Sequence, residues 1–184
     1  QWLKLNRPQI VHDQSEAALR AHLYLETSSY WAARVRLPLP CYFDKTEMRR
    51  VCNNEIMQPS IIDKKEFSDL TKLVVTKPKS GSGSRDVSVI RGDQLTDEIL
   101  SNSDLFIEEF IDGIEFTTDA FVVNGDVFIL GAAQKFKPTW SKTVSVKLEF
   151  NNRMVLNLLP RIQAFIEQVV KKFEIINSPI HVEF

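Results

Sequence analysis

The sequence predicts an α+β fold, in which helices and antiparallel hairpins alternate irregularly. Three observations carry this. Short apolar, β-branched runs such as Leu73-Val74-Val75 read as strands. Asn124-Gly125, between predicted strands over 115–123 and 126–130, is a strong hairpin turn. Leu158, Leu159, Ile162, Phe165, Ile166, Val169, Val170 and Phe173 recur at helical spacing and form one apolar stripe, which is core packing.

The 184 residues suffice for one domain or for two small lobes sharing a cleft. Hydrophobic residues make up 43%, so a real core is possible. The formal net charge is −1 without a long basic stripe, which argues against nucleic acid as the main partner. No run approaches the roughly 18 apolar residues of a membrane helix, and no signal peptide pattern is visible. Cys41 and Cys52 lack metal spacing and read as reduced, partly buried thiols of a cytoplasmic protein. The chain starts without Met and stops in what looks like mid-strand, Ile180-His181-Val182-Glu183-Phe184, so it reads as a fragment of a longer polypeptide.

In order, residues 1–12 lack a clear period, with Gln9-Ile10-Val11 a short strand. Helices follow over 15–25, capped by Ser15, and over 28–35. Leu37-Pro38-Leu39-Pro40 breaks the second and leads into an edge strand at Cys41-Tyr42-Phe43. Asp44 caps a helix to about Cys52, with Met48, Val51 and Cys52 inward. A strand over 58–62 precedes a short helix containing Phe67 and Leu70, marked by the capping-box pair Asp63 and Glu66. Asp93 caps a further helix to about Leu100. Strands follow over 105–111, 115–123 and 126–130, then an irregular loop over 136–143 and a strand over 144–149. Pro160 falls in the first turn of the final, striped helix.

Chemistry centres on two stretches. Leu73-Val74-Val75-Thr76-Lys77-Pro78 ends a buried strand, and Asp86-Val87-Ser88-Val89-Ile90 returns as its partner. The Gly/Ser tip between them offers backbone N–H and hydroxyl donors, and glycine at 81 and 83 permits close approach to a chain of phosphates. Lys77 adds a fixed positive charge at the strand end, although a plain turn with a surface lysine has the same pattern. This is not the loop of the nucleoside triphosphatases, which needs Gly-Lys-Ser/Thr and a following helix. In the second stretch, 105–115, strand alternation places Glu108 with Phe110 and Glu109 with Ile111, so one of two adjacent acids must face the interior. A carboxylate at Glu115 can accept hydrogen bonds from ribose-like hydroxyls, and an unpaired strand edge can read the edge of an adenine. Taken by itself, Lys135 beside Lys137 reads as a solvated loop charge rather than a ligand. His181 shares a face with Glu183, whose pattern is also that of a solvent-facing acid.

Val75-Thr76-Lys77-Pro78 with Gly81-Ser82-Gly83-Ser84-Arg85 resembles the phosphate-covering hairpin of the ATP-grasp superfamily. Ile107-Glu108-Glu109-Phe110-Ile111-Asp112-Gly113-Ile114-Glu115 resembles its adenine-and-ribose strand, and Phe121-Val122-Val123-Asn124-Gly125-Asp126-Val127 the hairpin after it. Lys135 stands where the family keeps a lysine, and Pro179-Ile180-His181-Val182-Glu183-Phe184 resembles a late strand of the form (G/P)-x-H-x-E-(F/I). The flavour is that of carbamoyl-phosphate-synthase-like and amino-acid-ligase-like members, over about residues 28–184.

The resemblance implies an ATP-grasp fold of two α+β lobes with the nucleotide between them. Residues 1–27 are then a lead-in from a preceding domain, 28–103 the N-terminal lobe and 104–184 a truncated C-terminal lobe. It implies that Lys77 contacts the phosphates of ATP, that Gly81, Ser82, Gly83 and Ser84 close over them, and that Lys135 reaches them from the other side. Glu108 and the strand through Glu109, Phe110 and Ile111 meet adenine, Glu115 holds the ribose, and Glu183 binds Mg²⁺. The implied reaction is ATP-dependent activation of a small-molecule carboxylate as an acyl-phosphate, attacked by an amine or another nucleophile, with neither nucleic acid nor membrane as partner. The sequence departs from the family pattern in lacking a lysine near Glu26-Thr27-Ser28-Ser29, in carrying Asp86 where many relatives have glycine, and in ending before a second metal acid. A degenerate nucleotide-binding or scaffold module, and a non-enzymatic interaction domain, are the competing readings.

Overall fold

The computed structural model describes residues 37, 39–63, 69–81 and 83–184. The elements expected over 1–36, the helix expected after Asp63, and Ser82 lie outside the described residues. Among the described residues, helices α1 (Lys45–Cys52), α2 (Asp97–Ser101) and α3 (Arg153–Lys172) accompany eight strands. Strands β1 (Ile61–Ile62), β2 (Leu73–Pro78), β3 (Ser88–Arg91) and β4 (Leu105–Glu109) form one antiparallel sheet in the order β1-β4-β2-β3. Strands β5 (Phe116–Val123), β6 (Asp126–Phe136), β7 (Lys147–Phe150) and β8 (Asn177–Glu183) form a second, in the order β7-β6-β5-β8. The α+β class expected from the sequence holds. The change of sheet falls between Glu109 and Phe116, because β4 pairs with β1 and β2.

In the first sheet the β2–β3 hairpin carries the Gly/Ser flap. Gly81 and Gly83 hold φ of 129° and 70°, where a side chain would be strained. Asp86, at φ 57°, takes the left-handed conformation that aspartate tolerates. The hairpin between β5 and β6 turns on Asn124 and Gly125, both with positive φ, as the Asn-Gly pair predicts.

The second sheet is amphipathic across its two faces. Phe116, Val122 and Ala132 pack on Val155, Ile162, Ile166 and Val170 of α3, which is the striped helix. Asn152 starts that helix by accepting from Val155 N at 2.9 Å, and its amide donates to Gln134 Oε1 at 2.8 Å. A bulge sets the register of the other face. Asp119 opposes Gly131 while Ala120 opposes Ile129, so Leu130 is the extra residue. A second, smaller core joins α1 to the end of α3 through Cys52, Ile56 and Phe173. There the Tyr42 hydroxyl donates to the Phe173 carbonyl at 2.5 Å, and Lys172 pairs with Glu55 at 2.6 Å.

Several expected elements differ. Residues 41–43 form no edge strand; a 3₁₀ turn spans Leu39–Tyr42, because the Pro40 carbonyl accepts from both Phe43 N and Asp44 N. The expected strand over 58–62 shrinks to β1. Asp93 lies within a 3₁₀ turn closed by Gln94 Oε1 on Arg91 N, and Thr96 caps α2 instead. Strand β6 runs on to Phe136, while β7 is shorter than expected. Pro160 lies inside α3, not in its first turn, because Asn152 begins the helix two turns earlier. Pro160 and Leu156 are both exposed, so the break that proline makes in the helix hydrogen bonds falls on the solvent side. Among the described residues no helix is long and apolar enough to cross a membrane.

Ile166 is fully buried between α3 and the sheet, whereas Leu156 is 53% exposed. Ile166→Ala should therefore lower stability by about 2–5 kcal/mol, and Leu156→Ala by under about 0.5 kcal/mol, read from urea midpoints. Equal losses would refute this placement of the helix.

Candidate functional site

Strand pairing dictates which side chains meet on the first sheet. Val75 opposes Glu108 and Lys77 opposes Phe106, so Lys77, Phe106 and Glu108 share a face. Of the two adjacent acids, Glu108 turns inward at 2% exposure. Glu109 turns outward, where its Oε1 accepts from Ser60 N at 3.0 Å. A carboxylate this buried requires compensation. Glu108 has two cations. Lys77 pairs with its Oε1, and Arg49 of α1 donates from Nε and Nη2 to Oε2 at 3.2 and 3.1 Å. The Lys77 ammonium also sits 5.7 Å from the centroid of the Phe106 ring.

Helix α1 meets the flap as well. Its first residue, Lys45, donates its amide to the Lys79 carbonyl at 2.7 Å and its ammonium to the Gly81 carbonyl at 2.5 Å. Apart from the adjoining residues of the chain, no atom lies within 4 Å of where a Cβ would stand at Gly81 or Gly83, so the flap has open space beside it. Residues 110–115 belong to no strand or helix. There a cavity of about 440 Å³ opens, lined by Ile62, Leu73, Val74, Glu109, Phe110 and Lys142, among others. Lys142, from the loop after β6, stands 5.0 Å from the centroid of the Phe110 ring.

The second sheet gathers charge on the face that α3 leaves open. Thr117 opposes Glu183 and Ala133, and Asp119 opposes His181. The Lys135 amide donates to the Glu115 carbonyl at 2.8 Å, so these two side chains lie on that face too. The Lys135 ammonium is held between Glu183 at 2.7 Å and Glu115 at 3.4 Å, and its side chain is only 11% exposed. Burial alone would lower its pKa, but the two carboxylates outweigh it and hold the ammonium above its ordinary value. Lys137 pairs with the other oxygen of Glu115. His181 has Nδ1 2.7 Å from Asp119 Oδ1, and Nε2 3.2 Å from Thr117 Oγ1 and 3.7 Å from Glu183. Glu183, and then Asp119, push the imidazole up to about 9. In return, His181 and then Lys135 hold Glu183 down at about 2.

Three expected site residues, Glu115, Lys135 and Glu183, thus meet directly. Lys77 and Glu108 meet on the other sheet, Phe110 and Glu109 line the cavity between strand ends, and Ile111 is exposed. Gly81, Gly83 and Ser84 lie on the flap. Sequence reasoning missed Arg49, Lys45 and Asp119. Their only available signals were the four-residue spacing of Lys45 and Arg49, and the odd-numbered alternation of Asp119 with Thr117 and Glu115. Among the described residues no three His, Cys, Asp or Glu side chains converge as a metal cage. Glu183 offers a single carboxylate, which fits an ion shared with phosphates, since Mg²⁺ is commonly held by one or two carboxylates plus substrate.

A two-sheet α+β fold with a glycine flap on one sheet and an ionic cluster on the other defines the class. Residues 92–184, just over half of the chain, match the family model of an ATP-grasp domain. The chain belongs to the ATP-grasp family. It is similar in structure to L-amino acid ligase from Bacillus licheniformis, at 19% identity and a TM-score of 0.64, covering 91% of this chain and 41% of that one. VanG D-Ala:D-Ser ligase from Enterococcus faecalis is similar at 14% identity and a TM-score of 0.61, covering 77% of this chain and 47% of that one. So is the biotin carboxylase domain of 2-oxoglutarate carboxylase from Hydrogenobacter thermophilus, solved with MgADP and bicarbonate, at 16% identity and a TM-score of 0.58. That match covers 77% of this chain and 36% of the other, so the chain spans less than half the length of all three. No curated protein matches the sequence.

The His181–Glu183 pair makes stability depend on pH in a defined direction. The raised pKa of His181 means its contribution is complete below about pH 6.5 and is lost as pH rises through about 9. The lowered pKa of Glu183 means its contribution is complete above about pH 4.5 and is lost as pH falls through about 2. The wild-type melting temperature should fall between pH 6.5 and 9, and His181→Asn should flatten that slope. Parallel slopes in the two proteins would refute the coupling.

Proposed function

We propose that this chain is the ATP-binding part of an ATP-dependent ligase that activates a carboxylate. A carboxylate oxygen attacks the γ-phosphorus, ADP leaves, and an amine or another nucleophile then displaces phosphate from the acyl-phosphate. The observation that carries the reading is the convergence of Glu115, Lys135 and Glu183 on the open face of the second sheet. Support comes from the family, and from ligases among proteins of similar fold.

In this reading Lys77 and Lys135 neutralise phosphate oxygens from opposite sheets, which lowers the repulsion met by an anionic nucleophile. The flap at Gly81, Ser82, Gly83 and Ser84 lies over the phosphates and excludes water. The backbone at Glu109 and Ile111 and the ring of Phe110 meet adenine, whereas Glu108, expected there too, is buried with its oxygens on Lys77 and Arg49 and acts through them instead of touching the base. Glu115 exchanges part of its lysine contacts for ribose hydroxyls. Glu183 would hold Mg²⁺, which supplies charge neutralisation at the phosphates. Substrates are a small-molecule carboxylate and ATP.

Saturating Mg-ATP, at about a hundred times its Kd, should raise the melting temperature by about 5–10 °C. Lys77→Ala and Glu115→Ala should each abolish that shift while leaving the ligand-free protein folded by circular dichroism. An unshifted wild type would favour the non-enzymatic interaction domain. Binding without carboxylate-dependent phosphate release would favour the degenerate module.

A further inference from the structure

Arg49 belongs to none of the stretches that carry the family resemblance, yet it contacts the most buried charge of the first sheet. Its guanidinium places Nε and Nη2 on Glu108 Oε2, while Lys77 occupies Oε1. The backbone that carries it is fixed. Asp44 caps α1 by accepting from Thr46 N and Glu47 N, and Gln58 Nε2 donates to the Arg49 carbonyl at 2.9 Å. The Arg49 side chain is 24% exposed and that of Glu108 3%, so the pair is formed largely out of water.

We propose that Arg49 is a positioning residue for nucleotide binding: by holding Glu108 it keeps the charge of Lys77 available to phosphate. Lys77 and Glu108 alone would cancel. An arriving phosphate would then have to draw the ammonium away from a buried carboxylate left without a partner, which is costly where water is excluded. With Arg49 in place the three groups carry a net charge of +1. The carboxylate keeps two N–H donors when Lys77 turns to the ligand, and the planar fork of arginine suits that task. The same helix holds the flap through Lys45, four residues away on the same side, so α1 sets both the cation and its cover. This inference rests on the nucleotide reading above.

The test is titration of Mg-ATP onto the whole chain by calorimetry, with ligand-free melting curves as the control for folding. Arg49→Met should weaken binding about tenfold or more, Arg49→Lys should keep most of the affinity, and Arg49→Met/Glu108→Gln should return to within about threefold of wild type. A merely structural arginine would give no such recovery, because the double variant removes still more of the bridge. If Arg49→Met does not fold, the double variant carries the test, since it leaves no buried carboxylate short of a partner. Wild-type affinity in Arg49→Met overturns the proposal. So does a double variant as weak as Lys77→Ala, which would make Glu108 itself the ligand-binding group. Those outcomes leave the nucleotide reading standing, whereas a wild type that binds no Mg-ATP overturns both.

Discussion

A sheet has two faces, and in the second sheet α3 takes one of them. That constraint decides where the charged residues go. Phe116, Val122 and Ala132 must meet the helix, so Glu115, Thr117 and Asp119 turn the other way by the two-residue period. A shift of one residue in the pairing of β5 and β6 would send the apolar set to solvent and the acids toward α3. The bulge at Leu130 absorbs the one irregularity. It leaves Ile129 and Val127 packed against the helix-side core, while Gly131, Ala133 and Lys135 line up with the acids of β5. The ionic cluster is therefore largely a consequence of helix packing: β5, β6 and β8, backed by α3, place Asp119, Lys135, His181 and Glu183, and Glu115 and Lys137 join them from just beyond the strand ends.

The first sheet solves a different problem. It buries a carboxylate among strands whose own apolar residues, Val74 and Ile107, are fully inaccessible. Burial there has to be compensated from outside the sheet, and α1 provides part of that compensation through Arg49. The same helix packs on the end of α3 through Cys52, with Tyr42 bonded to the Phe173 carbonyl just before it. Helix α1 thus touches the flap, the buried acid of one sheet and the helix that backs the other. With only eight residues it depends on its cap and on these contacts rather than on intrinsic helicity.

Much of this was legible before any coordinates. The hairpins, the striped helix, the Asp44 cap and the inward turn of one glutamate at 108–109 all follow from local patterns whose period the structure keeps. The failures are local as well. Prolines at 38 and 40 said that a helix could not continue, but not that the Pro40 carbonyl would gather two amides into a 3₁₀ turn. Pro160 marked a helix start by rule, yet Asn152 lay eight residues earlier with an oxygen able to cap. The site divides in the same way. Lys77, Glu115, Lys135 and Glu183 carry a recognisable order along the chain. Arg49 carries none, because its meaning depends on a partner 59 residues away that only the folded chain supplies.

The two halves of the site differ in electrical character. On the second sheet Glu115, Asp119 and Glu183 face Lys135, Lys137 and His181, so three carboxylates are matched by three cations when the imidazole is charged. A balanced cluster of this kind exerts little net pull on a polyanion. It can rearrange its internal pairs around one. On the first sheet Arg49 and Lys77 outnumber Glu108 by one charge. In the proposed nucleotide reading, the pull on phosphate arises on the sheet that bears the flap, and the second sheet provides exchangeable partners. In that division of labour the flap and the unbalanced cation belong together, because a cover over the phosphates is useful only on the side that draws them in.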